Sequence, residues 1–269
     1  MKKKRYLKWE KQSLTTVLYP VMFGILLLIL WQTQLLHKML GADTFALPLP
    51  GRILNIILDN GPAIRKNVTA TVIVAAGGLF FGSVFGYFLG IIATVFPKWG
   101  AGGLSIASAI SAVPIIAIAP ILNNLTKDFS DDANIRSMFA KTIVVTITCT
   151  VAMSINAYRG LNELKPYSLD LMKSYAAGKL TVFLKLRIPN SVPYIFVALR
   201  VSVPASIISA LVSEYFAEFI IGVGRQIREN IVLAQYATAW AYIVVACAIG
   251  IIMYGILLCA EGALLRGRR

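Results

Sequence analysis

The residues equipped for chemistry are few, and they lie in or beside apolar runs. His37 is the only histidine, so no histidine cluster can form. Cys149, Cys247 and Cys259 sit in apolar stretches without metal-ligand spacing and read as small hydrophobes. Gly178-Lys179 is followed by Leu180 and lacks the upstream glycine of a phosphate-binding loop. No nucleophile has a base at hand, so the chain is not expected to be an enzyme, to hold a metal or to bind a cofactor directly. What remains are polar groups inside apolar stretches: Arg200, Glu214, Asn156, the row Ser202, Ser206, Ser209 and Ser213, and Asn123 with Asn124. A charge near mid-membrane costs from about 2.5 kcal/mol upward and needs a partner or a wet cavity. Arg200 and Glu214 are about 21 Å apart along a helix and cannot pair with each other. The serine row marks either a polar face or serines bonding to their own helix carbonyls. Asn123, Asn156, Ser206, Ser209, Ser213 and Glu214 are the candidates for a solute pathway.

The elements that must position these groups are membrane spans. The sequence is 58% hydrophobic and 14% charged, with a mean hydropathy of +0.74, whereas soluble domains carry about 25% charged residues. A hydrocarbon core of about 30 Å takes about 20 apolar residues. Six stretches qualify, at about 17–36, 68–96, 103–124, 139–159, 190–216 and 236–262. The expected fold is therefore an all-α integral membrane protein with about six transmembrane helices. A basic tail (1–16) precedes a single transmembrane domain (17–262), and a second basic tail (263–269) follows. The first span follows its basic start at full membrane length and reads as an uncleaved helix.

The net charge of +14 does not point to nucleic acid, because the basic residues fall in tails and alternate loops. Lys2 to Lys11, Lys98, the 159–187 loop and Arg266 to Arg269 share one side, which the positive-inside rule makes cytoplasmic, with both termini. Glu218 to Glu229 would then lie outside. Gly77, Gly78, Gly82, Gly86 and Gly90 put small residues along one face, where helix backbones can approach closely. Pro114 and Pro120 remove donors from the third span, and Leu47-Pro48-Leu49-Pro50 breaks the chain before a short helix at 52–59.

Between the fourth and fifth spans lies a polar island, from Asp170 to Arg200, with Lys173, Lys179, Lys185 and Arg187 ahead of Pro189 and Pro193. Its residues resemble the signature of the permease subunits of bacterial ATP-binding-cassette importers. That signature is Glu-Ala-Ala, three free positions, Gly, nine free positions, an apolar residue, one free position, then Leu-Pro. Anchored on Pro189, it puts Ile188 at the Leu, Leu186 at the apolar position, Ala176 at the Gly and Asp170 at the Glu, with Met172 in place of the second Ala. Ala177, Phe183, Pro193, Arg200, Glu214, Gly222-Val223-Gly224 and Ile227 fit the branch that carries taurine, alkanesulfonates, nitrate and vitamin precursors. Gly178 stands two places from the family's Gly, so Ala176 must serve there.

The resemblance covers about residues 45–262 and implies a coupling helix in the loop at about 160–189. There Asp170, Tyr175, Ala176, Ala177, Gly178, Leu180, Phe183 and Pro189 would dock on a separate ATPase that holds the ATP and Mg. It further implies an external solute-binding protein, a second permease copy or paralogue, and a bacterial cytoplasmic membrane. Two other readings of the residues stay open: an amphipathic segment lying on lipid, and an ion-coupled secondary carrier using Glu214. Which solute is carried is not legible.

Overall fold

The computed structural model describes residues 18–110, 120–122, 125–126, 132–216 and 221–265. Among these the regular structure is helical. In chain order the helices are α1 (18–32), α2 (Leu35–Leu40), α3 (Pro50–Asp59), α4 (Gly61–Val95), α5 (Pro97–Ile110), α6 (Ala133–Asn162), α7 (Ser168–Ser174), α8 (Lys179–Phe216), α9 (Val223–Val232) and α10 (Tyr236–Leu265). Four of them, α4, α6, α8 and α10, are long and apolar enough to cross a membrane, and α1 is a shorter apolar helix. The third expected span begins within α5. Its Pro114, Asn123 and Asn124 lie outside the described residues.

α4, α6, α8 and α10 outrun the apolar stretches that announce them, whereas α1 stops at Gln32, short of the span expected at 17–36. α4 starts before Arg65 and Lys66, α6 runs from Ala133 to Asn162, and α8 starts at Lys179 rather than near 190. A membrane demands apolar side chains, whereas a helix demands only its backbone bonds, so composition marks the lipid-crossing part alone. Asp132 caps α6 by accepting from Asn134 N at 2.8 Å. Pro189 has no N–H for the carbonyl one turn back, and the chain widens to a π turn over Phe183–Arg187 just before it.

The chain divides into two compact units, one comprising residues up to 61 with 230–241 and the other 62–229 with 242–269. In the first, the Leu47-Pro48-Leu49-Pro50 run is held by its backbone. Leu47 O accepts from His37 Nε2 at 2.6 Å, Ala46 O accepts from Trp240 Nε1 at 3.1 Å, and Gly51 N donates to Gln32 Oε1 at 3.0 Å. Pro50 opens α3, where its missing N–H costs nothing. Edge-on pairs of Trp31 with Trp240 and Phe45 with Tyr236 complete the cluster.

The second unit is organised by α6. On one side it runs parallel to α4, and the glycine stripe is the contact. A Cβ at Gly82, Gly86 or Gly90 would stand only 2.6–2.7 Å from Cys149, Met153 or Ala157 Cβ in turn. Both rows advance by four residues, so one helical ridge lies in the other's groove over about two turns. On its other side α6 runs antiparallel to α8. Cys149 Sγ lies 3.8 Å from Ser202 O, and a Cβ at Gly160 would stand 2.9 Å from Ser191 Cα.

Candidate functional site

The polar island folds as a helix, a reversal and a second helix that continues into a span. Asp170 lies in the first turn of α7, 3.2 Å from Lys173 Nζ, an exposed pair worth a few tenths of a kcal/mol at most. α7 then ends in a Schellman turn. Ala177 N donates to Met172 O at 3.0 Å, Ala176 N donates to Lys173 O at 2.8 Å, and Ala176 takes the left-handed conformation, φ +50°. The residue that stands where the family signature has Gly is thus the residue whose backbone favours Gly. Gly178, by contrast, has φ −65° and ψ 161°, open to any residue, with nothing near its missing Cβ. The reversal leaves Tyr167, Leu171, Tyr175 and Leu180 exposed, Tyr175 at 77% and Leu180 at 70%, while Phe183 is half-buried. Lys173, Lys179 and Lys185 stand exposed among them.

This hairpin is bolted to the span ahead of it. The last carbonyls of α6 have no partners within their own helix. Arg187 Nη1 donates to Leu161 O and to Asn162 Oδ1, both at 2.8 Å. Asn190 Nδ2 donates to Gly160 O at 2.8 Å and Glu163 O at 3.0 Å, and Tyr194 Oη donates to Glu163 Oε2 at 3.0 Å. Asn162 Nδ2 reaches Thr94 Oγ1 at 3.0 Å, which brings in the end of α4. In the sequence Asn190 marks only a span boundary; its capping role depends on a residue 30 positions away and leaves no local signal.

The polar candidates within the spans fall into two groups. Ser206 donates to Val203 O at 2.8 Å and Asn156 to Ala152 O at 2.8 Å, each within its own helix. Ser209 donates to Thr148 Oγ1 of α6 at 3.3 Å. Ser202, Ser206, Ser209 and Ser213 are all buried, and the hydroxyls of Ser202 and Ser213 find no partner among the described residues. A groove of about 580 Å³ does lie between α4, α6 and α8, but its wall is apolar, with Leu79, Phe80, Phe88 and Leu199 around the hydroxyls of Ser83 and Tyr87. Asn123 is outside the described residues.

Glu214 belongs to the second group. It is 0% exposed, and its carboxylate accepts from Thr71 Oγ1 at 2.8 and 2.9 Å and from Gly224 N at 2.9 Å. Thr71 Oγ1 accepts in turn from Val223 N at 3.0 Å, and Asn67 Oδ1 accepts from Gly222 N at 2.9 Å. Asn67 Nδ2 also reaches Tyr242 Oη of α10 at 3.3 Å. Lys141, buried in α6, donates to Ile221 O at 3.4 Å and is the nearby opposite charge. Gly222 has φ +133°, and a side chain there would enter the space of the Glu214 carboxylate. Two glycines after a buried Glu are the sequence trace of this knot. Asn67, Thr71 and Lys141 were not singled out, though a Lys in an apolar run demands a partner as much as Arg200 does.

Arg200 has its own partner. Nε and Nη2 donate to Glu261 Oε2 and Oε1 at 2.9 and 2.7 Å, a bidentate pair that ties α8 to the last turns of α10. Glu261 is likewise a residue that sequence reasoning passed over.

Among the described residues the chain is a helical bundle with apolar spans, a buried polar knot and an exposed apolar hairpin at the root of one span. Residues 82–261 match the binding-protein-dependent transport system inner membrane component family, and the chain belongs to it: it is a permease of the ATP-binding-cassette importer class. It is 25% identical over 199 residues to the formylaminopyrimidine transport permease protein ThiX of Halalkalibacterium halodurans, covering 74% of this chain and 75% of that one. It is 24% identical to a probable ABC transporter permease protein of Haemophilus influenzae, covering 74% and 77%. The fold is similar to a chain of the MetNI methionine ABC transporter in an inward-facing conformation, with a TM-score of 0.64 at 14% identity, covering 78% of this chain and 97% of that one.

Proposed function

We propose that this subunit forms a solute pathway in a bacterial cytoplasmic membrane and takes mechanical work from a separate ATPase through the hairpin of α7 and the start of α8. The observation that carries the reading is the exposure of Tyr167, Leu171, Tyr175 and Leu180 on a hairpin whose root is clamped to α6 by Arg187 and Asn190. Apolar side chains left outside the lipid-crossing part of a bundle ask for a protein partner. Small residues at Ala176, Ala177 and Gly178 let that partner come close to the backbone. Because α8 is continuous from Lys179 to Phe216, a push on the hairpin tilts the span itself. ATP and Mg would sit on the ATPase, and its closure would draw two such hairpins together, one from each permease copy or paralogue. The spans would then pass from inward-open to outward-open. With both termini cytoplasmic, α9 would lie on the outer side, facing a solute-binding protein.

Ala177→Glu tests this. It should abolish solute-stimulated ATP hydrolysis and co-purification of the ATPase while membrane insertion persists; normal coupling in the variant would sink the docking role. The carrier alternative requires Glu214 to exchange protons with a wet path. Its enclosure by Thr71 and Gly224 N gives that reading no support. The cargo is a small polar solute. The similarity to a formylaminopyrimidine permease keeps pyrimidine precursors beside sulfonates and nitrate-like anions as the compounds to screen against the binding protein.

A further inference from the structure

The knot around Glu214 does more than satisfy a buried carboxylate. Three successive amide N–H groups, those of Gly222, Val223 and Gly224, each donate to a side chain of α4 or α8: Asn67 Oδ1, Thr71 Oγ1 and Glu214 Oε2, at 2.9–3.0 Å. The preceding carbonyl, Ile221 O, accepts from Lys141 of α6. The turn that starts α9 is therefore held by α4, α6 and α8 together. A carboxylate at the amides of a helix start also gains from the helix dipole, and the enclosing helices keep water from competing for those amides.

We infer that Thr71, with Asn67 and Glu214, is a positioning residue for the outer face: it fixes α9 rigidly to the moving spans, so that the surface offered to a solute-binding protein changes in step with the hairpin at the other end of α8. This rests on the importer reading above and gives it a second, independent point of attack. Thr71 accepts from the turn and donates to Glu214 at once, so the loss of one hydroxyl frees both. Thr71→Val keeps the shape and removes the hydroxyl; Thr71→Ser keeps the hydroxyl.

The test uses the complex in liposomes with an ATPase partner, and titrates candidate solute-binding proteins against ATP hydrolysis. Thr71→Val should raise the half-saturating binding-protein concentration at least tenfold and leave hydrolysis without binding protein unchanged. Thr71→Ser should stay within about twofold of the parent protein. A Thr71→Val complex that titrates like the parent overturns the inference, and so does one whose unstimulated hydrolysis falls in proportion, since that marks general damage. A parent complex indifferent to every binding protein would instead count against the importer reading. Should Thr71→Val fail to assemble, hydrogen exchange on the unmodified complex decides: the amides of Gly222, Val223 and Gly224 must be strongly protected, and exchange at the rate of an open loop overturns the inference.

Discussion

Ala176 shows how much of this molecule turns on the backbone of single residues. Its φ of +50° is a conformation that a Cβ opposes by about 1 kcal/mol, and the Schellman turn around it imposes that conformation regardless. Ala176→Gly should therefore stabilise the purified protein by roughly 1 kcal/mol, offset in part by the freer unfolded chain. The midpoint of thermal unfolding should rise, with ATPase coupling retained; a lower midpoint would mean that the alanine methyl makes a contact worth more than the strain. Gly178→Ala at the neighbouring position should stabilise by about 0.5 kcal/mol, since that residue has an ordinary conformation and open space around it and alanine leaves the unfolded chain less free. The signature spacing alone placed Ala176 at the family's glycine, and the turn supplies the reason. Glu214 was legible as a residue needing partners but not as to which, because Thr71 is 143 positions away and contact at that separation leaves no periodic trace.

Among the elements, the spans were readable because lipid imposes composition on them, and their ends were not because a helix can run on into water. The glycine stripe of α4 was readable as a packing face; that α6 fills it with Cys149, Met153 and Ala157 needs the fold. α10 was readable only as an apolar run, so the element that its charge serves stayed hidden. Arg200 and Glu261 join α8 to α10 as a bidentate pair, with Arg200 half-exposed and Glu261 largely covered. Glu261→Gln should weaken the bundle and should cost more than Glu261 lost together with Arg200. The double-mutant cycle over Arg200→Met and Glu261→Gln, read by thermal unfolding in detergent, should give a coupling of about 1 kcal/mol or more. Additive effects would show that the pair is incidental to the packing of the two helices.

For the whole molecule, several of the described interior polar groups bond within this one copy, while the buried hydroxyls of Ser83, Ser202 and Ser213 find no partner among the described residues. Ser206 and Asn156 bond within their helices, Ser209 bonds to α6, Glu214 closes on Thr71 and the α9 turn, and the open groove between α4, α6 and α8 is walled by apolar side chains. A polar solute needs a route lined by groups that are free to bind it and then release it. On the reading proposed above, a second permease surface would complete such a route and a partner on the hairpin would drive it. Gly178-Lys179-Leu180 is not a phosphate loop that could take that partner's place. Reconstituted by itself in liposomes, the chain should carry no candidate solute uphill, with or without a proton gradient. Adding the ATPase, the binding protein and ATP should start accumulation, with two permease subunits per assembly by mass. Sustained uphill uptake by the chain alone would relocate the energy source to the membrane and reinstate Glu214 as a proton site. Dependence on both soluble partners would fix the hairpin as the place where the work enters.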